Sequence, residues 1–256
     1  MELLRVENLC AGYGKQRIVE NISFSVKAGE TVGIFGENGC GKTTLLKGIA
    51  GLISGVLGRV SIGGQDIVPM TARKRAEYVS MFFAGAEVPE GLLAEEVLEM
   101  GWYGRLRFLR PPGATLQSEK ERVVRELGLE GFLSKYFGSL SQGQKQLVLL
   151  GRLLLQNTPV FLMDEPDNSL DFKHRHALLQ KMRLTAGEKG KAGLLVLHDP
   201  SLIMSYCDRV FLMREGRFAD TVCPGKETER EIAEKLKEIT GSVQVTKRGS
   251  SVIISP

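Results

Sequence analysis

The stretch TVGIFGENGCGKTTLLKGIAGL, residues 31–52, decides the fold of this chain. TVGIF predicts a buried strand, and KTTLLKGIAGL, from Lys42 onward, has the spacing of a helix. Between them GENGCGKT, residues 36–43, fits the pattern G-x-x-x-x-G-K-[ST]. Glycines let the backbone curl so that N–H groups face phosphate oxygens, and the helix N-terminus adds its dipole. We therefore predict a phosphate-binding loop. A plain glycine-rich turn is the alternative that this context disfavours.

The loop residues are expected to hold a nucleotide phosphate and its metal ion. Lys42 would reach the terminal phosphates, and Thr43 would offer its hydroxyl to Mg²⁺. Cys40 lies beside Lys42 at a helix N-terminus, and both features lower a thiol pKa. Thiol-sensitive activity follows, unless Cys40 is only a small residue that fits the turn. The residues assigned to the loop are Gly36, Glu37, Asn38, Gly39, Cys40, Gly41, Lys42, Thr43 and Thr44.

Two adjacent acids end a second apolar stretch, VFLMDEP, at residues 160–166. Ligands bind at the carboxyl ends of strands in α/β sheets. Asp164 is therefore expected to hold Mg²⁺, and Glu165 to act as general base on the water that attacks the terminal phosphate. Alone, such a pair is more often a turn or a helix cap. Its combination with the phosphate loop favours the catalytic interpretation.

The hydrophobic spacing divides the chain into regions of different character. The first quarter is strand-rich with one helix, and residues 87 to 156 carry apolar residues three and four apart, which predicts a helical insertion. VFLMDEP and GLLVLHDP are apolar throughout and predict strands buried on both faces of a sheet, hence an α/β protein. ETEREIAEKLKEIT predicts a charged helix, followed by a terminal hairpin that turns near Arg248 and Gly249.

Composition sets limits on partners and location. With 34 basic and 30 acidic residues among 256, the net charge of +4 is too weak to indicate a nucleic-acid surface, and we expect no such partner. The four cysteines have neither CxxC pairing nor metal-ligand spacing, which favours a reducing cytosol. No apolar run approaches the roughly 20 residues that span a bilayer, and MELLRVENLC lacks the features of a signal peptide. Any membrane role is expected to come through a partner.

LSQGQ, residues 140–144, resembles the signature LSGGQ of the ATP-binding-cassette (ABC) family, with Gln142 in place of the first glycine. Ser141, Gly143 and Gln144 start a predicted helix, where hydroxyl, backbone N–H and helix dipole favour an anion. By itself the serine is better interpreted as an ordinary N-cap. In the family this helix end faces the γ-phosphate held by the opposite subunit. The resemblance therefore implies a homodimer that sandwiches two ATP molecules.

Three further residues match elements of the family in the expected order. Tyr13, in AGYGKQ, matches the aromatic residue that stacks on adenine. Asp171, in NSLD, matches the loop that crosses the dimer interface, and His198, in VLHDP, matches the switch histidine. The resemblance implies that His198 hydrogen-bonds the γ-phosphate and helps to hold the attacking water. Individually, a tyrosine in a turn and a histidine after a strand are usually structural.

The resemblance spans essentially the whole chain and implies its fold and domain division. The fold is an α/β phosphate-loop NTPase (RecA-like) core sheet with an N-terminal antiparallel β subdomain and an inserted α-helical signature subdomain. The ATPase domain is expected at residues 1–225, with the catalytic core and β subdomain at 1–86 and 157–225 and the helical subdomain at 87–156. A C-terminal helix and hairpin extension is expected at 226–256.

One departure concerns a glutamine that the family has at the end of the strand leading into the helical subdomain. There its side chain meets Mg²⁺ and the attacking water. In AEYVSMFFAG the position falls on Met81 or a close neighbour. Methionine neither coordinates Mg²⁺ strongly nor orients water. We therefore expect ATP binding to survive, while hydrolysis, or its coupling to a partner, is weakened.

Three stretches resemble the ATPases of importers for iron chelates, haem and cobalamin: EEVLEMGWYGRLRF, HDPSLIMSYCDRVFLMREGRF and the terminal hairpin. The resemblance implies a cytoplasmic ATPase bound to transmembrane permease subunits at the inner face of the cell membrane, served indirectly by an extracytoplasmic substrate-binding protein. ATP would close the dimer and move permease helices that rest in grooves near residues 80 to 105. The alternatives are a non-transport ABC ATPase and a nucleotide-gated regulatory subunit with weak hydrolysis.

Overall fold

Twelve strands and eight α-helices are found in the computed structural model, which describes residues 1–83, 88–105, 113–168, 170–249 and 251–255. The strands are β1 (Glu2–Tyr13), β2 (Gln16–Lys27), β3 (Thr31–Gly36), β4 (Leu57–Ile62), β5 (Gln65–Asp66), β6 (Val79–Phe83), β7 (Val160–Asp164), β8 (Ala192–Val196), β9 (Arg209–Arg214), β10 (Arg217–Val222), β11 (Gln244–Arg248) and β12 (Ser251–Ser255). The helices are α1 (Lys42–Ala50), α2 (Ala72–Arg75), α3 (Ala94–Glu99), α4 (Ala114–Leu127), α5 (Gln142–Gln156), α6 (Phe172–Lys189), α7 (Pro200–Tyr206) and α8 (Glu229–Thr240).

A six-stranded sheet contains the phosphate-loop strand β3 in its interior, in the order β10-β9-β3-β8-β7-β6. The strands from β9 to β6 run parallel, and β10 is antiparallel to β9. Every residue of β7 and β8 is buried, which explains why both stretches are apolar without alternation. The carboxyl ends of β3, β8 and β7 therefore lie next to one another at one edge of the sheet. The predicted α/β core is confirmed.

A second sheet, in the order β2-β1-β4-β5, is antiparallel throughout. Its long strands β1 and β2 pair from Glu2 opposite Lys27 to Tyr13 opposite Gln16. This is the antiparallel β subdomain expected near the N-terminus. Its apolar face packs against α1, so that the phosphate-loop helix lies between the two sheets.

The parallel sheet separates two hydrophobic cores. Because side chains alternate between the faces of a strand, Phe161 and Met163 of β7 enter one core, whereas Val160 and Leu162 enter the other. Helices α3 to α8 contribute to the first core, and α1 together with the antiparallel sheet encloses the second. The sheet is therefore covered on both sides, as a parallel sheet must be.

Two helices of the predicted helical insertion differ in length. Helix α5 is long, and helix α3 is short. Helix α5 covers all of QGQKQLVLLGRLLLQ, whereas α3 ends at Glu99 and continues only as a 3₁₀ turn over Met100–Trp102. At Gly101 the chain approaches α5 so closely that an added Cβ would lie 2.4 Å from the carbonyl oxygen of Arg152. The predicted boundary between residues 86 and 87 lies outside the described residues.

The last described part of the chain consists of α8 and the hairpin of β11 and β12. Its turn includes Gly249, whose φ of 61° lies in the left-handed region that glycine adopts without strain. Val245 and Val252 of the hairpin are buried in the first core. Among the described residues, no helix is long and apolar enough to span a bilayer.

Candidate active site

Residues 36–41 connect β3 to α1 at the carboxyl end of the parallel sheet. Gly39 and Gly41 have φ angles of 80° and 108°, which residues with a side chain rarely adopt. Gly41 is also the N-cap of α1 and has no side chain, so the N–H groups of the first turn remain available to an external acceptor. At Gly36 an added Cβ would lie 2.1 Å from the carbonyl oxygen of Met213. The loop geometry therefore suits an anion such as phosphate.

Lys42 lies against the backbone of this loop. Its side chain is buried, and its Nζ donates to the carbonyl oxygens of Gly36 and Glu37 at 2.8 and 2.9 Å. Glu37 and Asn38 are exposed, whereas Thr44 is buried in the first turn of α1. The ammonium group thus supplies a positive charge where the loop N–H groups converge.

Asp164 and Thr43 form a donor set that fits a magnesium ion. Asp164 ends β7, and its buried Oδ1 has no hydrogen-bond partner among the described residues. Burial raises the pKa of the Asp164 carboxyl, while hydrogen bonding with the Thr43 hydroxyl acts in the opposite direction. A buried carboxylate oxygen without a partner, next to a hydroxyl, matches the oxygen ligands that Mg²⁺ prefers.

Glu165 follows Asp164 and has both carboxylate oxygens engaged. Its Oε1 lies 2.6 Å from Nε2 of His198, and its Oε2 accepts from Nδ2 of Asn168 at 2.6 Å. The backbone N–H of Glu165 donates to the carbonyl of Val196 at 3.1 Å, and its φ of 51° lies in the left-handed region. The structure therefore brings Glu165 and His198 together at the ends of β7 and β8.

Two polar residues beside Glu165 were not assigned a role from the sequence. Asn168 contacts the glutamate as described, and Asp167 is 3% exposed with an Oδ1 that has no hydrogen-bond partner among the described residues. Burial raises the pKa of the Asp167 carboxyl, which has Arg175 at 3.7 Å as its nearest cation in the described chain. The available signal was the short polar run after Pro166, which places the residue three positions after Glu165 next to it in a turn.

The residues of the signature stretch cap α5. Ser141 Oγ accepts from the backbone N–H of Gln144 at 3.3 Å, and Gln144 Oε1 accepts from the N–H of Ser141 at 3.0 Å. This capping box leaves Gly143, in the first turn, without a side chain over the helix end. Within the described chain, no hydrogen bond or ion pair joins these residues to the phosphate loop.

Tyr13 and Asp171 lie at exposed positions near the ends of elements. Tyr13 is the last residue of β1 and is half exposed. Asp171 is the N-cap of α6 and accepts from the backbone N–H of His174 at 2.9 Å, while the His174 ring lies 2.8 Å from both carboxylate oxygens. These hydrogen bonds lower the pKa of the Asp171 carboxyl. Both side chains are accessible to a nucleotide or to a partner chain.

The predicted activation of Cys40 is wrong. The thiol is buried under the loop, and burial raises its pKa, while the charge of Lys42 and backbone hydrogen bonds lower it by less. The sequence indicated the features that lower the thiol pKa, but it did not show how deeply the thiol is buried. A neutral thiol that fits the turn is what the structure places there.

The strand end that the sequence places at Met81 or a close neighbour lies at Phe83. Met81 is the third of five residues in β6 and pairs with Leu162 in the middle of β7. The strand ends at Phe83, which pairs with Asp164 at the carboxyl edge of the sheet. The next residue, Ala84, lies outside the described residues. Neither Met81 nor Phe83 has an oxygen or amide that binds Mg²⁺ or orients water, so the predicted loss of a glutamine at this strand end remains a prediction.

Known proteins resemble the chain over most of its length. The family model described as ABC transporter matches residues 19–168. The chain is 32% identical to the cobalamin import ATP-binding protein BtuD of Halobacterium salinarum (81% of this chain, 52% of that protein). It is 32% identical to the spermidine/putrescine import ATP-binding protein PotA of Mesoplasma florum (84% and 59%). It is 30% identical to the hemin import ATP-binding protein HmuV of Vibrio cholerae (91% and 89%).

A solved structure of an ATP-binding subunit of an ABC transporter superimposes with a TM-score of 0.78 at 30% identity. The match covers 94% of this chain and 95% of that one. By contrast, the chain spans little more than half the length of BtuD and PotA.

Proposed function

The chain belongs to the ABC transporter family, and on that basis we propose that it binds MgATP and hydrolyses it to drive a transporter. The observation that carries this proposal is the glutamate at the end of β7, held 2.6 Å from a histidine at the end of β8 and next to a carboxylate that fits Mg²⁺. A phosphate-binding loop lies at the same edge of the sheet.

In this proposal Glu165 is the general base and His198 its partner. A water molecule gives a proton to the Glu165 carboxylate as its oxygen attacks the γ-phosphorus and the bond to the β-phosphate oxygen breaks. His198 hydrogen-bonds the γ-phosphate and holds the water, and Asn168 keeps the carboxylate in place. Lys42 and the loop N–H groups neutralise phosphate charge. Tyr13 stacks on the adenine ring.

The Thr43 hydroxyl and the Asp164 carboxylate would hold Mg²⁺, the latter through water. When bound, the ion neutralises charge on the β- and γ-phosphate oxygens. The support for this assignment is the buried Asp164 oxygen that no hydrogen bond in the described chain satisfies.

The active form in this proposal is a homodimer. Each α5 start, with Ser141, Gly143 and Gln144, would close on the γ-phosphate bound by the other copy, and Asp171 would lie at the interface. The support is the start of α5, where Ser141 is the N-cap and the helix dipole favours an anion.

A permease would bind in the groove between α1, β6 and α5. A cavity of about 230 Å³ there is lined by Gly51, Arg75, Met81, Phe83, Arg152 and Gln156, among others. Its walls combine apolar surface with two arginines, and none of the described residues that line it is acidic. Such a groove suits a short helix with an apolar face and a carboxylate.

The transported substrate is proposed to be an iron chelate, haem or cobalamin, taken in by import. The support is the likeness of the switch region and C-terminal hairpin to such importers, together with the similarity to the cobalamin importer ATPase BtuD and the hemin importer ATPase HmuV. The PotA relative carries a polyamine name instead, so a polyamine is the competing substrate class. A substrate-binding protein would deliver the substrate outside the membrane, and this chain would lie at the cytoplasmic face, attached to the permease.

We also propose the domain division inferred from the sequence, with the ATPase domain at residues 1–225, its helical subdomain at 87–156 and the C-terminal extension at 226–256. Its support is the change from strands to helices α3, α4 and α5 and back to β7.

The decisive experiment compares MgATP hydrolysis by the wild-type chain and by Glu165→Gln. We expect the variant to lose at least about 100-fold in kcat, because the amide cannot accept the proton, while it retains ATP binding. Equal turnover of the two proteins would reject Glu165 as the base.

A second candidate is a nucleotide-gated regulatory subunit with little turnover. Phe83, at the end of β6 and level with Asp164, favours it, because no glutamine amide reaches the metal site from this strand end. Wild-type ATP binding without turnover, even with a permease added, would select this second function.

A further inference from the structure

Few contacts hold the side chain of His198 in place. The imidazole is partly exposed, and its one polar contact among the described residues is Glu165. The position of the ring therefore depends on the backbone that carries it. That backbone is fixed on one side by β8 and on the other side by α7, which begins at Pro200.

Helix α7 starts immediately after the histidine. Asp199 is its N-cap and accepts from the backbone N–H groups of Ser201 and Leu202 at 2.8 and 3.2 Å. The helix has seven residues, which is too short to be stable without tertiary contacts. Its most extensive packing is against β12 of the C-terminal hairpin.

Two serines of α7 bind the free edge of β12. Ser205 Oγ accepts from the N–H of Val252 at 2.9 Å and donates to its carbonyl at 3.2 Å. Ser201 Oγ accepts from the N–H of Ile254 at 2.9 Å and donates to its carbonyl at 3.5 Å. Serines four residues apart lie on one face of a helix, and the bonded residues of a strand are two apart, so the two spacings match. The two hydroxyls thus make the hydrogen bonds to β12 that a neighbouring strand would otherwise make.

The hairpin is itself anchored and does not merely follow α7. Val245 and Val252 are buried in the first hydrophobic core, and Lys247 donates its backbone N–H to Glu229 of α8 at 2.6 Å. Strand β12 is therefore a fixed support, and a displacement of α7 would have to break its contacts with this strand.

We propose that Ser201 and Ser205 are positioning residues for His198, because they hold α7 against β12 and so set the imidazole against Glu165. The inference rests on the proposed hydrolysis of ATP. It assigns the C-terminal hairpin a part in the chemical step, although no hairpin residue contacts the active site in the described chain. Loss of the clamp would impair the attack on the phosphate and leave nucleotide binding by the phosphate loop intact.

The test uses the full chain with Ser201→Ala and Ser205→Ala combined, which removes the four hydrogen bonds and keeps residues that favour a helix. We expect kcat to fall by about tenfold, because small misplacements of a catalytic group are costly, while KM and ATP affinity stay within about twofold. Amide hydrogen exchange should become faster at residues 198–206 and at β12.

Val6→Ala is the matched control, because it removes apolar contacts from the other core and should lower stability without lowering the kcat of the folded protein. Wild-type kcat in the folded Ser201→Ala and Ser205→Ala double variant would overturn the inference, as would a loss confined to KM. If the wild-type chain itself shows no turnover with its partners, the proposed function fails instead, and the two failures are thereby distinguished.

Discussion

Cys40 shows how one residue in a binding loop is governed by opposing local effects. A lysine and a helix start favour the thiolate, but burial disfavours it more strongly and raises the thiol pKa. The side chain belongs to the core that encloses α1. Cys40 is thus a packing residue of the phosphate loop.

We predict that N-ethylmaleimide modifies Cys40 slowly at neutral pH and leaves hydrolysis largely intact. Because the pKa is raised, the reactive thiolate is scarce at pH 7 and increases only as the pH rises toward that value. Peptide mass spectrometry over pH 7 to 9 measures the labelling. Rapid inactivation at pH 7 that Cys40→Ser prevents would contradict the prediction.

At this scale the sequence predicted the identity of the site residues better than their surroundings. Glu165 and His198 lie together because both follow strands whose apolar patterns were clear. Burial of Cys40 and the contact of Asn168 depend on how distant segments pack, and local patterns do not report this. The end of β6 could not be assigned to a single residue, because VSMFF carries no turn residue and the first glycine after it is Gly85.

At the scale of elements, the turn from α6 to β8 carries a lysine in an unusual environment. Lys191 Nζ donates to Oδ1 of Asn157 and to the carbonyl of Thr158 at 2.7 and 2.8 Å. Burial, together with the positive charges of Lys189 and Arg105, lowers the pKa of Lys191 to about 8.

We predict that stability rises with pH between about 8 and 10 because of Lys191. In this range the unfolded chain, with a lysine pKa of about 10.4, binds more protons than the folded chain, so the free energy of unfolding increases with pH. Urea unfolding of Lys191→Met should show a smaller rise. Lys226→Met, at an exposed site, is the control and should leave the slope unchanged. Equal slopes for wild type and Lys191→Met would exclude this residue as the source.

Helix α5 presents Arg152 to the proposed permease groove. Burial lowers the pKa of its guanidinium, and none of the described residues forms an ion pair with it. A buried charge without a counterion is costly, and a carboxylate from a partner would relieve that cost.

We predict that Arg152→Gln weakens co-purification with the permease by tenfold or so, since a desolvated charge pair is lost, while basal hydrolysis persists. Arg125→Gln, at an exposed position of α4, is the matched control. Equal recovery of the permease with both variants would show that Arg152 lies outside the interface.

The elements that the sequence predicted are those with a clear period. Helix α5 covers all of QGQKQLVLLGRLLLQ, and β7 lies inside its predicted stretch. Strand β8 begins at Ala192, one residue before the predicted stretch GLLVLHDP. Helix α6, with eighteen residues, was not predicted, because its five buried positions begin only at Leu178 and the six residues before it are mostly charged or aromatic. Its N-cap at Asp171 was the available signal.

At the scale of the whole molecule, the proposed nucleotide site has two parts on separate elements, the phosphate loop before α1 and the start of α5. The phosphate loop and the start of α5 share no hydrogen bond or ion pair among the described residues. Sequence could indicate both parts, but only the resemblance to a family implied that they meet between two copies.

We predict that Glu165→Gln with ATP sediments at twice the 28.1 kDa mass of the chain, and that adding Ser141→Asp abolishes this dimer. Aspartate keeps the N-cap of α5, but its charge repels a phosphate held by the other copy. Thr228→Asp is the matched control, because Thr228 caps α8 through the same type of capping box. A dimer that persists in the Ser141→Asp protein would place the interface elsewhere.

The left-handed backbone of Glu165 implies a conflict between selection for turnover and selection for folding stability. A glutamate at a φ of 51° is strained by about 1 kcal/mol relative to glycine, so the residue proposed for chemistry is also a poor choice for folding. A lineage that no longer needs to hydrolyse ATP would gain folding stability by a substitution to glycine at this position. The proposed role of Glu165 as general base would offset that cost.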